Sequence, residues 1–226
     1  MRESSKTRSI RPDDFYQGFL SGRVLDIGCG DDLCVPHAVP FDEREGDANN
    51  ILNYFQPDTF DCVHSSHCLE HMRDPAKCLK EWWILVKPGG FLIAVVPDED
   101  LYEQGHWPSL FNPDHKHTFR LSGKSSWSPV SCNLTDLIAS LPQARILLSK
   151  RQDIGYIHQK PLWSLRCPAL IRKLSSRIRR LIYGVGLIDT IVDRLLVKVA
   201  LVTGCPIDQT LGKASAQIEI VAQKEP

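Results

Sequence analysis

Val24-Leu25-Asp26-Ile27-Gly28-Cys29-Gly30 is the stretch that decides the fold. A short apolar strand runs into two glycines, which let the backbone bend sharply and let a ligand approach without meeting a Cβ. Further along, Ala38 to Asp42 reads as a second short strand and Phe60 to His64 as a third. Pro75 to Val86 reads as a helix. Pro75 suits its first turn, and Cys78, Leu79, Trp82, Trp83 and Val86 recur at helical spacing, which makes both tryptophans packing residues. Lys87-Pro88-Gly89-Gly90 ends that helix, and Phe91 to Val96 follows as a buried strand. Leu134 to Leu141 reads as a helix, Ala144 to Ser149 as a strand, and Ala216 to Ala222 alternates with period 2 as the last strand. Upstream of the glycines, residues 1–21 read as a short helix or arm whose late apolar cluster is Phe15, Tyr16, Phe19 and Leu20. Apolar strands alternating with helices predict an α/β fold, a doubly wound and mostly parallel sheet covered on both faces.

The whole chain has 226 residues, with 27 Lys plus Arg against 27 Asp plus Glu, so its formal net charge is zero. That balance gives no global field to attract nucleic acid. At 42% hydrophobic and 24% charged residues the chain has a globular composition. Its eight cysteines include no CxxC pair, which argues against a disulfide scaffold or a zinc knuckle. The polar N-terminus lacks the apolar core of a signal peptide, and charges interrupt every long apolar stretch. The expectation is a cytoplasmic protein with reduced thiols.

Charge also sorts the ligands that the glycine turn could hold. A dinucleotide site calls for a third glycine where this chain has Leu33, and Asp31 and Asp32 beside the turn would repel a pyrophosphate. A Walker lysine is absent as well. S-adenosylmethionine is cationic and phosphate-free, so the same acids favour it over NAD or ATP.

With these residues in view, the chain resembles the class I S-adenosylmethionine-dependent methyltransferases of the small-molecule and polysaccharide branch. Val24 to Gly30 is similar to the family's first motif. Phe41-Asp42 resembles the end of its second strand, whose acid holds the ribose hydroxyls; Glu43 and Glu45 are the alternatives here. Gly46-Asp47-Ala48 resembles the adenine loop, although Asp47 also suits a plain turn or helix cap. Phe60 to His71, including Ser66 and His67, resembles the family's fourth-strand segment, and His67 falls beside the methionine end of the donor. Leu85 to Gly90 resembles the turn before the fifth strand. The resemblance implies an antiparallel last strand, one methyltransferase domain over residues 1–226, and a donor site of Asp26, Gly28, Cys29, Gly30, Asp42, Asp47, Ala48, Ser66 and His67. The interval from Gly30 to Asp42 is short for the family. It predicts a first crossover helix cut to a turn or two, and a sheet face left to the insertion at 158–210 for cover.

Two insertions interrupt the pattern. Residues 97–130 carry four prolines, Trp107, Trp127 and the cluster His106, His115 and His117. They read as a lid bearing a histidine base, with His115 and His117 as the catalytic candidates. A loop pinned by aromatics and a metal site using Asp98, Asp100 or Asp114 stay open as alternatives. His71 reads as a buried, hydrogen-bonded histidine. Residues 158–210 read as helical, and Arg166 to Tyr183 combine one apolar face with Arg172, Lys173, Arg177, Arg179 and Arg180. That helix either packs on the sheet with its arginines solvated or lies on an anionic membrane surface. The function expected is methyl transfer to a small-molecule or glycan hydroxyl, without metal and without a nucleic-acid partner. A catalytically silent donor-binding protein acting through its basic helices, and an NAD enzyme, are the rival readings. The sequence leaves the oligomeric state open.

Overall fold

In the computed structural model, the residues described are 3–123, 125–158, 187–203 and 205–226. They form two compact units, Arg2–Gln152 with Gln217–Pro226, and Asp153–Ala216.

The first unit is a six-stranded sheet. Its strands are β1 (Val24–Ile27), β2 (Val39–Phe41), β3 (Phe60–Ser66), β4 (Val86–Pro97), β7 (Ala144–Gln152) and β8 (Gln217–Lys224). The spatial order is β2-β1-β3-β4-β8-β7. The first four strands run parallel, and β8 lies antiparallel between β4 and β7. The expected α/β class and the antiparallel last strand are both present. A separate parallel pair joins β5 (Thr118–Arg120), within the 97–130 insertion, to β6 (Ser131–Asn133), directly after it.

Period-2 alternation divides the two faces. Leu25, Ile27, Val63, Leu92, Ala94, Ile218 and Ile220 point to one side, under helices α3 (Pro75–Ile84) and α4 (Leu134–Ala139). Pro75 sits in the first turn of α3, the Asp74 carboxylate accepts the Lys77 amide, and both tryptophans are buried. Val24, Cys62, Ile93, Val95 and Val221 point to the other side. Their cover comes from the N-terminal arm, which is two helices, α1 (Glu3–Ile10) and α2 (Asp13–Phe19), packed through Phe15, Tyr16, Phe19 and Leu20. The insertion at 158–210, the other cover expected for this face, lies in large part outside the described residues.

A correction concerns the first crossover. Residues 28–38 form turns and bends and hold no helical turn at all. The Cys34 amide donates to the Asp26 carboxylate at 2.6 Å rather than to a helical carbonyl, and Pro36 has no amide to donate. Lys87 to Gly90 also belong to a strand, since β4 begins directly after α3.

The 97–130 insertion is pinned down. The buried Glu99 accepts from the hydroxyls of Thr118 at 2.9 Å, Ser126 at 2.6 Å and Ser131 at 2.5 Å. Phe119 is fully buried in the main core.

In the second unit, Leu187–Thr203 is helical, as expected for that insertion. The basic segment 166–183, with its membrane reading, lies outside the described residues. No described helix is long and apolar enough to cross a membrane. Among the described residues six cysteines are free thiols, whereas Cys205 is disulfide-bonded, which departs from the expectation of reduced thiols throughout.

Candidate functional site

At the carboxyl ends of β1, β2 and β3 lies a cleft of about 770 Å³. That size suits a small-molecule ligand. Gly28, Phe41, Asp42, Glu43 and Gly46 to Asn49 line one end, and His67, Cys68, His71, Met72, Arg73, Asp114 and Lys116 the other.

Gly28 has φ +74°, and a Cβ there would stand 2.4 Å from Cys68 Cβ. Only glycine allows the turn and the loop after β3 to come so close. The Gly28 amide donates to the Phe41 carbonyl at 2.8 Å. The Gly30 amide donates to Asp42 Oδ2 at 2.6 Å, so the acid that ends β2 also fixes the turn. Carboxylate oxygens hold further lone pairs, which leaves Asp42 able to accept ribose hydroxyls.

Asp47 caps the 3₁₀ segment Ala48–Asn53, which kinks at Asn50. Its carboxylate accepts from the Asn49 amide and side chain and from Asn50, and it pairs with Arg73 at 3.2 Å. The Asn49 hydrogen bonds hold its carboxyl below the ordinary range, with Arg73 helping. Both the cap and the cleft-lining position expected of this residue are therefore present. Trp82 Nε1 donates to the Ala48 carbonyl at 3.0 Å, so a core tryptophan holds the loop in place.

Other expected donor-site residues lie elsewhere. Asp26 is 1% exposed and does not line the cleft. One of its oxygens meets His64 Nδ1 at 2.6 Å and the other accepts the Cys34 amide. Burial alone would raise its pKa, but the facing His64 charge and these hydrogen bonds hold it below the ordinary value. A lowered pKa contributes stability above the ordinary carboxylate range and loses it as pH falls through the folded value. Asp26→Asn is therefore expected to lose most stability at neutral pH, with the gap to wild type narrowing below the usual carboxylate pKa. Urea midpoints at several pH values measure it.

The Cys29 side chain is buried beside the turn, and burial with the nearby Asp26 charge pushes its thiol up to about 11, which removes it as a nucleophile at neutral pH. Ser66 is buried, and its hydroxyl has no hydrogen-bond partner among the described residues.

The histidines change places. Neither His115 nor His117 lines the cleft. His115 is buried, with Nδ1 2.7 Å from Glu103 Oε1, and His117 Nε2 lies 3.3 Å from the Arg73 carbonyl. The cleft instead receives His67 and His71. This corrects the reading of His71 as a buried structural histidine: its side chain is 24% exposed, and Nδ1 sits 2.9 Å from Asp114 Oδ2. His67 holds a left-handed backbone, φ +53°, at the end of β3, and its Nε2 lies 2.9 Å from Gln217 Oε1. Left-handed non-glycine residues concentrate at functional sites. Asp98 and Asp100 are occupied: Asp98 accepts two amides of its own turn and Asp100 accepts Trp127 Nε1.

Arg73 and Lys116 also line this end of the cleft, and Glu70 and Glu103 are buried next to its histidines. Sequence reading gave them no role, because none carries a signal of its own until folding joins residues 67–73 to 103–116.

The donor end fits an S-adenosyl ligand. A cradle without room for a Cβ lies beside Asp42, Glu43 and Asp47, and Arg73 is neutralised by its ion pair. No curated protein sequence matches the chain. The fold is similar to that of an S-adenosylmethionine-dependent methyltransferase from Archaeoglobus fulgidus, at 17% identity, TM-score 0.52, and coverage of 99% of this chain and 95% of that one. It is also similar to a protein from Thermotoga maritima described as a possible histamine N-methyltransferase, at 16% identity, TM-score 0.49, and coverage of 99% and 88%. The sequence model of a methyltransferase-domain family matches residues 11–125. That span is half of the chain and holds the glycine turn, Asp42, the Asp47 loop and the histidine end of the cleft, so the chain belongs to the methyltransferase-domain family and its methyl donor is S-adenosylmethionine.

Proposed function

We propose that the acceptor is a hydroxyl of a small molecule or glycan, entering the cleft between His67, His71, Asp114 and Lys116. The observation that carries this reading is the polarity of that end: two imidazoles and two charged side chains line it. A hydroxyl needs such groups, because its proton must leave as the oxygen attacks.

Bound at the turn, the donor supplies an activated sulfonium methyl, so the protein's task is alignment and exclusion of water. The acceptor oxygen forms the bond to the methyl carbon as the carbon–sulfur bond breaks. The electron pair stays on sulfur, and the hydroxyl proton departs toward the polar groups that line this end of the cleft.

The test is formation of S-adenosylhomocysteine with a panel of hydroxyl-bearing sugars and small alcohols, against the same compounds with that hydroxyl already methylated. His71→Ala is expected to reduce turnover by about 10²-fold or more while leaving the affinity for S-adenosylhomocysteine within about twofold. Product formation from amine acceptors alone would overturn the hydroxyl assignment. A donor that binds without any acceptor-dependent turnover would favour the silent binding protein.

A further inference from the structure

Glu70 lies in the short turn Leu69–His71 and its side chain is 1% exposed. Neither of its carboxylate oxygens has a hydrogen-bond partner among the described residues. Three imidazole nitrogens surround Oε1: His67 Nδ1 at 3.6 Å, His71 Nε2 at 3.9 Å and His115 Nε2 at 4.0 Å. All three distances exceed hydrogen-bonding range.

The far nitrogens of two rings set their tautomers. A carboxylate only accepts, so His71 Nδ1 carries a hydrogen toward Asp114, and His115 Nδ1 carries one toward Glu103 at 2.7 Å. With its Nδ1 protonated, each neutral ring turns a lone pair toward the Glu70 carboxylate. Lone pairs facing a buried carboxylate repel one another, and a buried charge without partners is strongly disfavoured. A proton shared with one ring relieves that contact alone and does not resolve the other. A cation between the three atoms does.

We propose that Glu70, His71 and His115 bind a borderline divalent cation of the zinc class, with Asp114 and Glu103 orienting the two imidazoles. The three ligand atoms lie within 4.8 Å of one another. Tetrahedral ligands with bonds of about 2.0–2.1 Å sit about 3.3 Å apart, so the two imidazole–carboxylate gaps of 3.9 and 4.0 Å need to close by roughly 0.6–0.7 Å, and the third gap by no more than about 1.5 Å. Carboxylates on the outer nitrogens of metal-bound histidines are a recurrent supporting feature. Two nitrogens and one oxygen suit zinc better than magnesium or calcium, and three protein ligands leave a coordination position open. The partly exposed His71 ring lines the cleft, which gives the ion its way in. On the hydroxyl-acceptor reading, which its role but not its binding rests on, the ion would hold the acceptor oxygen and ease loss of its proton.

The decisive experiment titrates zinc chloride into chelator-treated full-length protein by calorimetry, with X-ray absorption at the zinc edge. The expected result is one ion per chain with a nitrogen and oxygen shell free of sulfur. His71→Ala and Glu70→Gln are expected to weaken binding by more than 100-fold, and Glu103→Gln by about 10–100-fold. His117→Ala should leave it unchanged. If Glu70→Gln fails to fold, the partly exposed His71→Ala decides. Zinc uptake that survives His71→Ala but is lost in Cys34→Ser would place the ion at Asp26, Cys34 and His64 and overturn the proposal, as would no stoichiometric uptake. Zinc binding without acceptor turnover would leave this site standing and remove the hydroxyl reading.

Discussion

Arg11→Ala is expected to lower the thermal midpoint by about 10 °C, the largest loss from any single truncation of the buried polar ladder. Arg11 has 2% of its side chain exposed and Glu219 none, and their closest atoms are 2.6 Å apart. The Arg11 guanidinium also lies over Phe15, 4.5 Å from the ring centre, and 3.4 Å from His64 Nε2. His64 in turn holds Asp26, so the ladder crosses β1, β3 and β8 on one face beneath the N-terminal helices. Removing one member of a buried pair costs about 3–5 kcal/mol because the other charge stays behind unpaired. For this ladder the lower end applies, since Gln152 at 2.7 Å and Lys150 at 3.2 Å still face Glu219. At about 2–4 °C per kcal/mol for a chain of this size, that gives the shift stated. The exposed pair Arg44–Asp31, 3.7 Å apart with side chains 84% and 63% exposed, is the control. Arg44→Ala should change the midpoint by no more than about 2 °C. Calorimetry and urea titration of both variants check the contrast. Equal shifts in the two would show that the ladder contributes nothing special.

The second large effect is at the glycine turn. Gly28→Ala is expected to cost about 2–5 kcal/mol and to weaken S-adenosylhomocysteine binding by at least tenfold. Two separate penalties combine. The φ of +74° puts an alanine in the left-handed region, and its Cβ would meet Cys68 Cβ at 2.4 Å and Sγ at 2.7 Å. The double variant Gly28→Ala/Cys68→Gly separates them, because it removes the collision and leaves the backbone strain. Partial recovery of affinity is the expected outcome. Recovery to wild-type affinity would mean that backbone strain adds nothing, and no recovery would mean that the collision is not the cause. Gly30→Ala is the comparison: a Cβ there meets nothing within 4 Å, so only its φ of +52° opposes the change.

Much of this architecture was legible in the linear chain. Hydrophobic period and punctuation are local properties, so Val24 to Ile27, Phe60 to His64, Phe91 to Val96 and the α3 helix could be read directly. The paired glycines after β1 announce a sharp turn in the same way. The missed elements share a cause. The N-terminal arm forms two helices over the sheet because Phe15, Phe19 and Leu20 find an apolar face there, and no local signal reports a face built by residues far away in the chain. The first crossover loses even its expected turn of helix because the Asp26 side chain takes the Cys34 amide.

By itself, the sequence determined the strand-and-glycine framework, the acidic character of the donor end and the kind of donor. Each depends on neighbours along the chain and on the charge and size of single residues. Tertiary structure alone decided which side chains line the cleft. Strand register turned Asp26 inward to His64, and the packing of residues 103–116 against 67–73 buried His115, brought His71 to the cleft and enclosed Glu70 among imidazoles. Register and long-range packing act between segments distant in sequence, so their outcome is written in no single segment.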